Sequence, residues 1–286
     1  MISYATHHRL FWVSSAIVFL LFTLLLSGEP ESMFGDSDML WHIAAGDLIR
    51  QLGAIPVTDP WSYTAGDYRW INVAWLWDVV FSYFYEHFGW HGPVVLNATI
   101  VSLTITVLFA HGLLRSSHNL IPIVLALVGA ILMISIILRP LQITMLMTAV
   151  WMLILGQFVR NQCRASWLLL FPVLMVIWAN CHGGFIVGLM ALAFFFIEAA
   201  LSKNFHHAKW LFLVGAACFA ASFINPYGWR LYELQWIVAN APSLTHVDEW
   251  QPVKLSYGSL LLNLLAVVFI LLVPRNHTLP FTKAER

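Results

Sequence analysis

Charge is scarce in this chain. Of its 286 residues, fourteen are basic and fourteen acidic, 10% in all, where a water-soluble globule carries about 25%. With 60% hydrophobic residues and a mean hydropathy of +0.79, a freely soluble domain is excluded and an integral membrane protein is expected. Net charge is zero, so there is no positive excess to attract nucleic acid. Cysteine is nearly absent. Cys163, Cys181 and Cys218 form no CxxC and no metal-binding spacing, and read as small apolar fillers of helices. The twelve histidines form no HExxH motif, and His7-His8 and His206-His207 are adjacent pairs that cannot easily face one metal. GxGxxG and GxxxxGK[ST] are missing, which argues against a nucleotide-binding module and an ATP-driven pump. No small-x-small cleavage site follows the first apolar run, so that run reads as a retained span rather than a signal peptide.

What the chain has in abundance is long apolar runs. A helix crossing a bilayer needs about 20 apolar residues. Candidate spans cover residues 10–26, 94–114, 120–138, 141–159, 167–179, 185–201, 210–224 and 259–273. Residues 74–88 are ambiguous: Asp78, Ser82 and Glu86 recur every four residues and so share one helical face. A polar stripe of that kind suits a helix lying on the membrane surface. The charge distribution agrees. With 74–88 lying flat, nine of the fourteen basic residues fall on the inner side and twelve of the fourteen acidic residues on the outer side, as the positive-inside rule requires. The expected fold is therefore all-α: a polytopic transmembrane bundle of about eight spans, with two interfacial amphipathic helices in the first outer loop. Residues 1–286 form one integral membrane domain with both termini in the cytoplasm. Residues 28–92 are the first outer loop and 225–257 the second.

That first loop is the longest polar stretch. Seven acidic residues and two basic ones lie between Gly28 and Asn72. Asp36 and Asp38 stand two residues apart, before an amphipathic segment expected over residues 39–52. Two such carboxylates can share a divalent cation such as Mg2+ or Mn2+, or one can serve as a general base beside its neighbour's charge. Asp38 can equally cap the helix. Trp41 and His42 fall in the first turn, where Trp serves as a membrane anchor and His as a structural or a reactive group. Thr58-Asp59-Pro60 carries turn chemistry, and the aromatics around it can stack on a sugar or fold the loop onto the membrane. On the same expected side lie Arg139 and Gln142, Asn180 and His182, Asn225 and Arg230, and Glu249. Arg139 suits phosphate, or snorkels. His182 with Gly183-Gly184 allows close backbone approach at a helix start, where free N–H groups can hold an anion, or makes a tight turn. Asn225-Pro226 is a helix stop.

Residues 36–64 (DSDMLWHIAAGDLIRQLGAIPVTDPWSYT) and 70–78 (WINVAWLWD) together resemble the first periplasmic loop of bacterial GT-C-type membrane glycosyltransferase-like proteins. These are similar to the lipid A aminoarabinose transferases and the protein O-mannosyltransferases. Residues 139–142 (RPLQ), 178–185 (WANCHGGF), 225–228 (NPYG) and 249–250 (EW) also look like this group, and the likeness runs over residues 10–251. The resemblance implies a polytopic protein of the bacterial inner membrane. It would transfer a sugar from a polyprenyl-phosphate-linked donor to a cell-envelope acceptor on the outer side. It implies Asp36 and Asp38 as base or metal ligand, with Asp38 the base. Trp41, His42, Asp59, Arg139, Gln142, Asn180, His182, Asn225, Arg230 and Glu249 would contact substrate, with Arg139, His182 and Arg230 supplying positive charge to the departing phosphate. The rival class is a non-catalytic membrane scaffold or accessory subunit of an envelope glycan pathway. A transporter would need ionisable groups at mid-membrane, and Glu198 is the one candidate. A haem-handling protein is a further alternative, suggested by the Trp and His content.

Overall fold

The computed structural model describes residues 4–27, 38–64, 66–115 and 138–241, and residues 122–124, 126, 127 and 129. Asp36, Glu249, the span expected over 259–273 and most of that over 120–138 lie outside the described residues. Among those described, all regular structure is helical. One isolated antiparallel bridge, Thr58 to Arg69, closes the loop that follows the second helix.

Helix α1 (Tyr4–Ser27) packs along α4 (His91–Arg115), and α4 against α5 (Leu141–Val159). A 3-10 turn (Ala165–Leu169) leads into α6 (Leu170–Cys181), followed by α7 (Phe185–Leu201) and α8 (Phe205–Ala221). By length and composition, two helices among the described residues can cross a membrane, His91–Leu114 and Leu141–Val159. Phe11–Ser27, Ala165–Cys181 and Phe185–Leu201 are shorter apolar helices.

The α5–α8 half is held by aromatic packing. Trp151 stacks on Phe171 at 4.0 Å between ring centroids, nearly parallel, and meets Trp178 edge-on at 5.3 Å. All three are fully buried, with Met175, Phe185 and Leu211 around them. Aromatic pairs of this geometry add about 0.5–1.5 kcal/mol beyond the area they bury. On the outward faces, Leu24, Val173, Met190, Phe194 and Phe212 stand exposed.

The chain direction alternates through this half, so its loops gather at two ends. At one end, His207 Nε2 lies 3.0 Å from Asn161 Oδ1, joining the turn after α5 to the start of α8. Arg160, Arg164, Lys203 and Lys209 all belong to these turns or the first turns beside them. At the other end, the Asn180 amide donates to the Ile224 carbonyl at 2.8 Å, joining the ends of α6 and α8. Helices α2 (Asp38–Leu52) and α3 (Trp75–Phe88) dock there. Met39, Ile43, Trp77 and Phe81 share a buried cluster with Val94, Leu138 and Cys181.

Helices α2 and α3 pack face to face because Gly46 has no side chain: a Cβ there would overlap the Asp78 carbonyl and crowd the Ser82 hydroxyl. The polar stripe of α3 is therefore turned towards α2. Asp78 and Ser82 are buried, and Glu86 pairs with Arg50 of α2. Periodicity correctly groups these three on one face, and that face is covered by a neighbouring helix. Two further differences stand out. Helix α8 starts five residues before the expected 210, because the Asn204 side chain caps it, accepting the His207 N–H at 3.2 Å. The segment expected as the second outer loop also contains a helix, α9 (Arg230–Ala239), with Leu231 buried and the Tyr232 hydroxyl bonded to that of Ser222.

Candidate functional site

At the end where α2 and α3 dock, two pairs of side chains bring distant parts of the chain together. The Asp38 carboxylate, in the first turn of α2, faces the Arg139 guanidinium at 3.2 Å. One turn along α2, His42 Nδ1 lies 2.6 Å from Asp78 Oδ1. Asp78 is 1% exposed and His42 12%.

Asp78 is held on its other oxygen as well. The Asn72 amide donates to Asp78 Oδ2 at 2.6 Å. The orientation of that amide is fixed, because its oxygen accepts the Ala74 N–H at 3.0 Å and a backbone amide can only donate. The Asn72 backbone N–H in turn donates to the Tyr227 hydroxyl at 3.0 Å, from the loop before α9. Burial raises the Tyr227 pKa, and the Asp78 charge adds to that; the bond to Asn72 opposes both. The hydroxyl therefore keeps its proton.

His182 sits in the turn between α6 and α7. Its Nδ1 lies 2.8 Å from Thr144 Oγ1 of α5 and accepts the Gly184 N–H at 3.0 Å. Trp178 Nε1, which can only donate, bonds the same Thr144 oxygen at 2.9 Å. The Thr144 hydroxyl thus gives its own proton to His182, and the neutral ring carries its hydrogen on Nε2. Burial and then the nearby His42 push the His182 pKa down to about 4. The expectation of a cation at His182 is corrected accordingly: near neutral pH it is an uncharged donor. The expected anion cradle at Gly183-Gly184 is also not free, since the Gly184 N–H is bonded to His182. Both glycines allow close packing. A Cβ on Gly183 would strike Gln235 of α9, and one on Gly184 would strike Thr144.

The remaining expected residues fall into three groups. Asn180 and Asn225 act as struts. Asn180 donates to the Val176 and Ile224 carbonyls and accepts the Trp75 indole N–H at 2.7 Å. Asn225 donates to the Ser222 carbonyl and accepts the Tyr227 N–H, a local turn. Asp59 shapes its own exposed loop by accepting the Trp61 and Ser62 N–H groups and the Ser62 hydroxyl. These bonds, the Ser62 hydroxyl first and the Trp61 amide second, hold its carboxyl below the usual range. Trp41 packs against Trp61 and Trp70, at 5.3 and 6.3 Å between centroids, and pins that loop to α2. Gln142 is buried at the start of α5, and Arg230 opens α9.

Asn72, Asp78, Thr144 and Tyr227 are the members of this network that the sequence reading leaves out of its site. Asn72 and Asp78 stand inside the segment 70–78, which carries part of the resemblance, and that was the available signal. For metal, the described residues hold no group of three or more His, Cys, Asp or Glu side chains suited to an ion. Asp38 faces a guanidinium, whose charge opposes a dication there. The described residues do not fit a metal centre, and no step is derived through one. No family model, curated protein or solved structure matches the chain.

Proposed function

We propose that this chain is a GT-C-like membrane glycosyltransferase, moving a sugar from a polyprenyl-phosphate-linked donor to a cell-envelope acceptor at the outer face of the bacterial inner membrane. The observation that carries the reading is the meeting of Asp38 and Arg139 at 3.2 Å beside the His42–Asp78 pair. A departing polyprenyl phosphate needs a fixed positive charge, and a planar guanidinium matches phosphate oxygens in pairs. Proton transfer from the acceptor needs an oriented base close by. Both requirements are met by residues at one end of the bundle.

Several features support a bilayer setting of about eight spans: the two membrane-length helices, the three shorter apolar ones and the apolar outward faces. The gathering of Arg160, Arg164, Lys203 and Lys209 at the end opposite α2 and α3 supports a cytoplasmic position for those turns.

Purified protein in lipid nanodiscs, given a panel of polyprenyl-phosphate-linked pentoses and hexoses with envelope lipid extract, is expected to release polyprenyl phosphate. Arg139→Gln should lower release about 100-fold or more, with the helical circular-dichroism spectrum unchanged. No release from any donor by the wild-type chain would overturn the transferase reading. A second reading, a non-catalytic scaffold of an envelope glycan pathway, is favoured by Asn180 and Asn225, whose polar atoms are engaged within the protein. An unchanged envelope glycan profile in cells carrying Asp38→Asn with Arg139→Gln, against an altered one in the deletion strain, would decide for it.

A further inference from the structure

We propose that His42 Nε2 is the proton acceptor of this site, and that Asp38 orients Arg139 rather than taking the proton. The inference rests on the transferase reading for its substrate, and on geometry for its atom. A carboxylate can only accept, so His42 Nδ1 donates to Asp78 Oδ1 across 2.6 Å. The lone pair of the neutral ring then lies on Nε2, which has no partner among the described residues.

The ring is held from behind in sequence: Asp78 fixes Nδ1, the Asn72 amide fixes Asp78, and the Ala74 N–H fixes the Asn72 amide. A base oriented by a buried carboxylate, itself oriented by a third group, is the arrangement that activates hydroxyl nucleophiles. It also stabilises the imidazolium that forms, since the Asp78 charge stays on the far side of the ring. The histidine nearest to it does not compete. His182 commits Nδ1 to Thr144 and Gly184 and keeps its hydrogen on Nε2. The charged and titratable groups facing His42 are Asp78 from α3 and His182 from the turn after α6. Asp38, one turn earlier on α2, has Arg139 before it.

The step balances as follows. An acceptor hydroxyl gives its proton to His42 Nε2 while its oxygen forms a bond to the anomeric carbon of the donor sugar. The bond from that carbon to the phosphate oxygen breaks, and its electron pair leaves with polyprenyl phosphate, whose charge Arg139 meets. The imidazolium later returns its proton to water.

Two measurements on the full chain in nanodiscs test this. Diethylpyrocarbonate acylates an accessible, unprotonated imidazole nitrogen, and adducts are mapped by peptide mass. His42 is expected to react at neutral pH alongside the exposed control His87, while His182 stays unmodified. Absence of a His42 adduct where His87 reacts overturns the proposal. The second measurement is turnover of whichever donor the wild type accepts. His42→Gln should lower kcat about 100-fold or more with KM little changed. Asp78→Asn should lower kcat in the same way with KM little changed, a split that a general loss of folding would not produce. Wild-type turnover in His42→Gln overturns it as well. If the wild type turns over no donor, the transferase reading fails on its own, and the labelling still decides His42.

Discussion

The two histidines near the α2–α3 dock differ in state because their neighbours differ. His182 has a tryptophan–threonine relay pointed at Nδ1, whereas His42 has a carboxylate there. Burial and then the nearby His42 disfavour the charged ring, whose Nδ1–H would also oppose the Gly184 N–H and turn the Thr144 hydroxyl round. Its pKa is thus lowered from 6.5 to about 4. The unfolded chain binds this proton more readily, so the associated stability is fully present above about pH 6.5 and is lost as pH falls towards 4. The loss is on the order of 3 kcal/mol. The thermal midpoint should therefore drop across that window, and Thr144→Val, which removes the relay, should weaken the dependence. At Asp59 the same logic predicts a small effect. Asp59→Ala removes three exposed bonds in its own loop and should leave the thermal midpoint nearly unchanged and turnover within about two-fold of wild type. A loss like that of Arg139→Gln would return Asp59 to the site. The His42–Asp78 contact was not legible from sequence, because its members are 36 residues apart. Periodicity could say only that Asp78 shares a face with Ser82.

At the level of elements, legibility tracked the punctuation. The boundaries of α5 and α7 match the expected 141–159 and 185–201, since Pro140 and Gly184 mark the starts. Helix α8 begins ahead of its apolar run because the Asn204 cap starts it within the polar stretch 202–209. Helix α9 was read as loop, since its apolar positions are few and only Leu231 is buried. The polar stripe of α3 was legible but its cover was not: a polar stripe indicates which face is polar, not whether water or another helix covers it. The α2–α3 contact depends on one missing side chain. Gly46→Val should force the Asp78 carbonyl away from α2, costing about 3 kcal/mol or more. A lower thermal midpoint, together with loss of the His42 adduct, would show that the dock and the histidine are coupled. Unchanged values for both would count against this packing.

Across the whole molecule, charge and chemistry are sorted to opposite ends. Arg160, Arg164, Lys203 and Lys209 lie at one end; Asp38, Asp47, Asp78 and Glu86 lie at the other. If the positive-inside rule governs insertion, a membrane-impermeant thiol reagent applied to intact spheroplasts should label Tyr63→Cys and leave Lys203→Cys unlabelled, in a Cys163→Ser background. The reverse pattern would turn the candidate site towards the cytoplasm and remove access to an outer-face acceptor. This sorting was readable from the sequence alone, because it depends on the order of runs and loops rather than on any single contact.

The bond from the Asn72 N–H to the Tyr227 hydroxyl spans 155 positions. During synthesis, the segment carrying Asn72 leaves the ribosome long before its phenolic partner exists. Loops closed over such distances form late and slowly. A nascent chain halted before Tyr227 should insert its early helices yet leave the Asn72 clasp open, so the cell completes this corner of the protein only after Tyr227 has emerged.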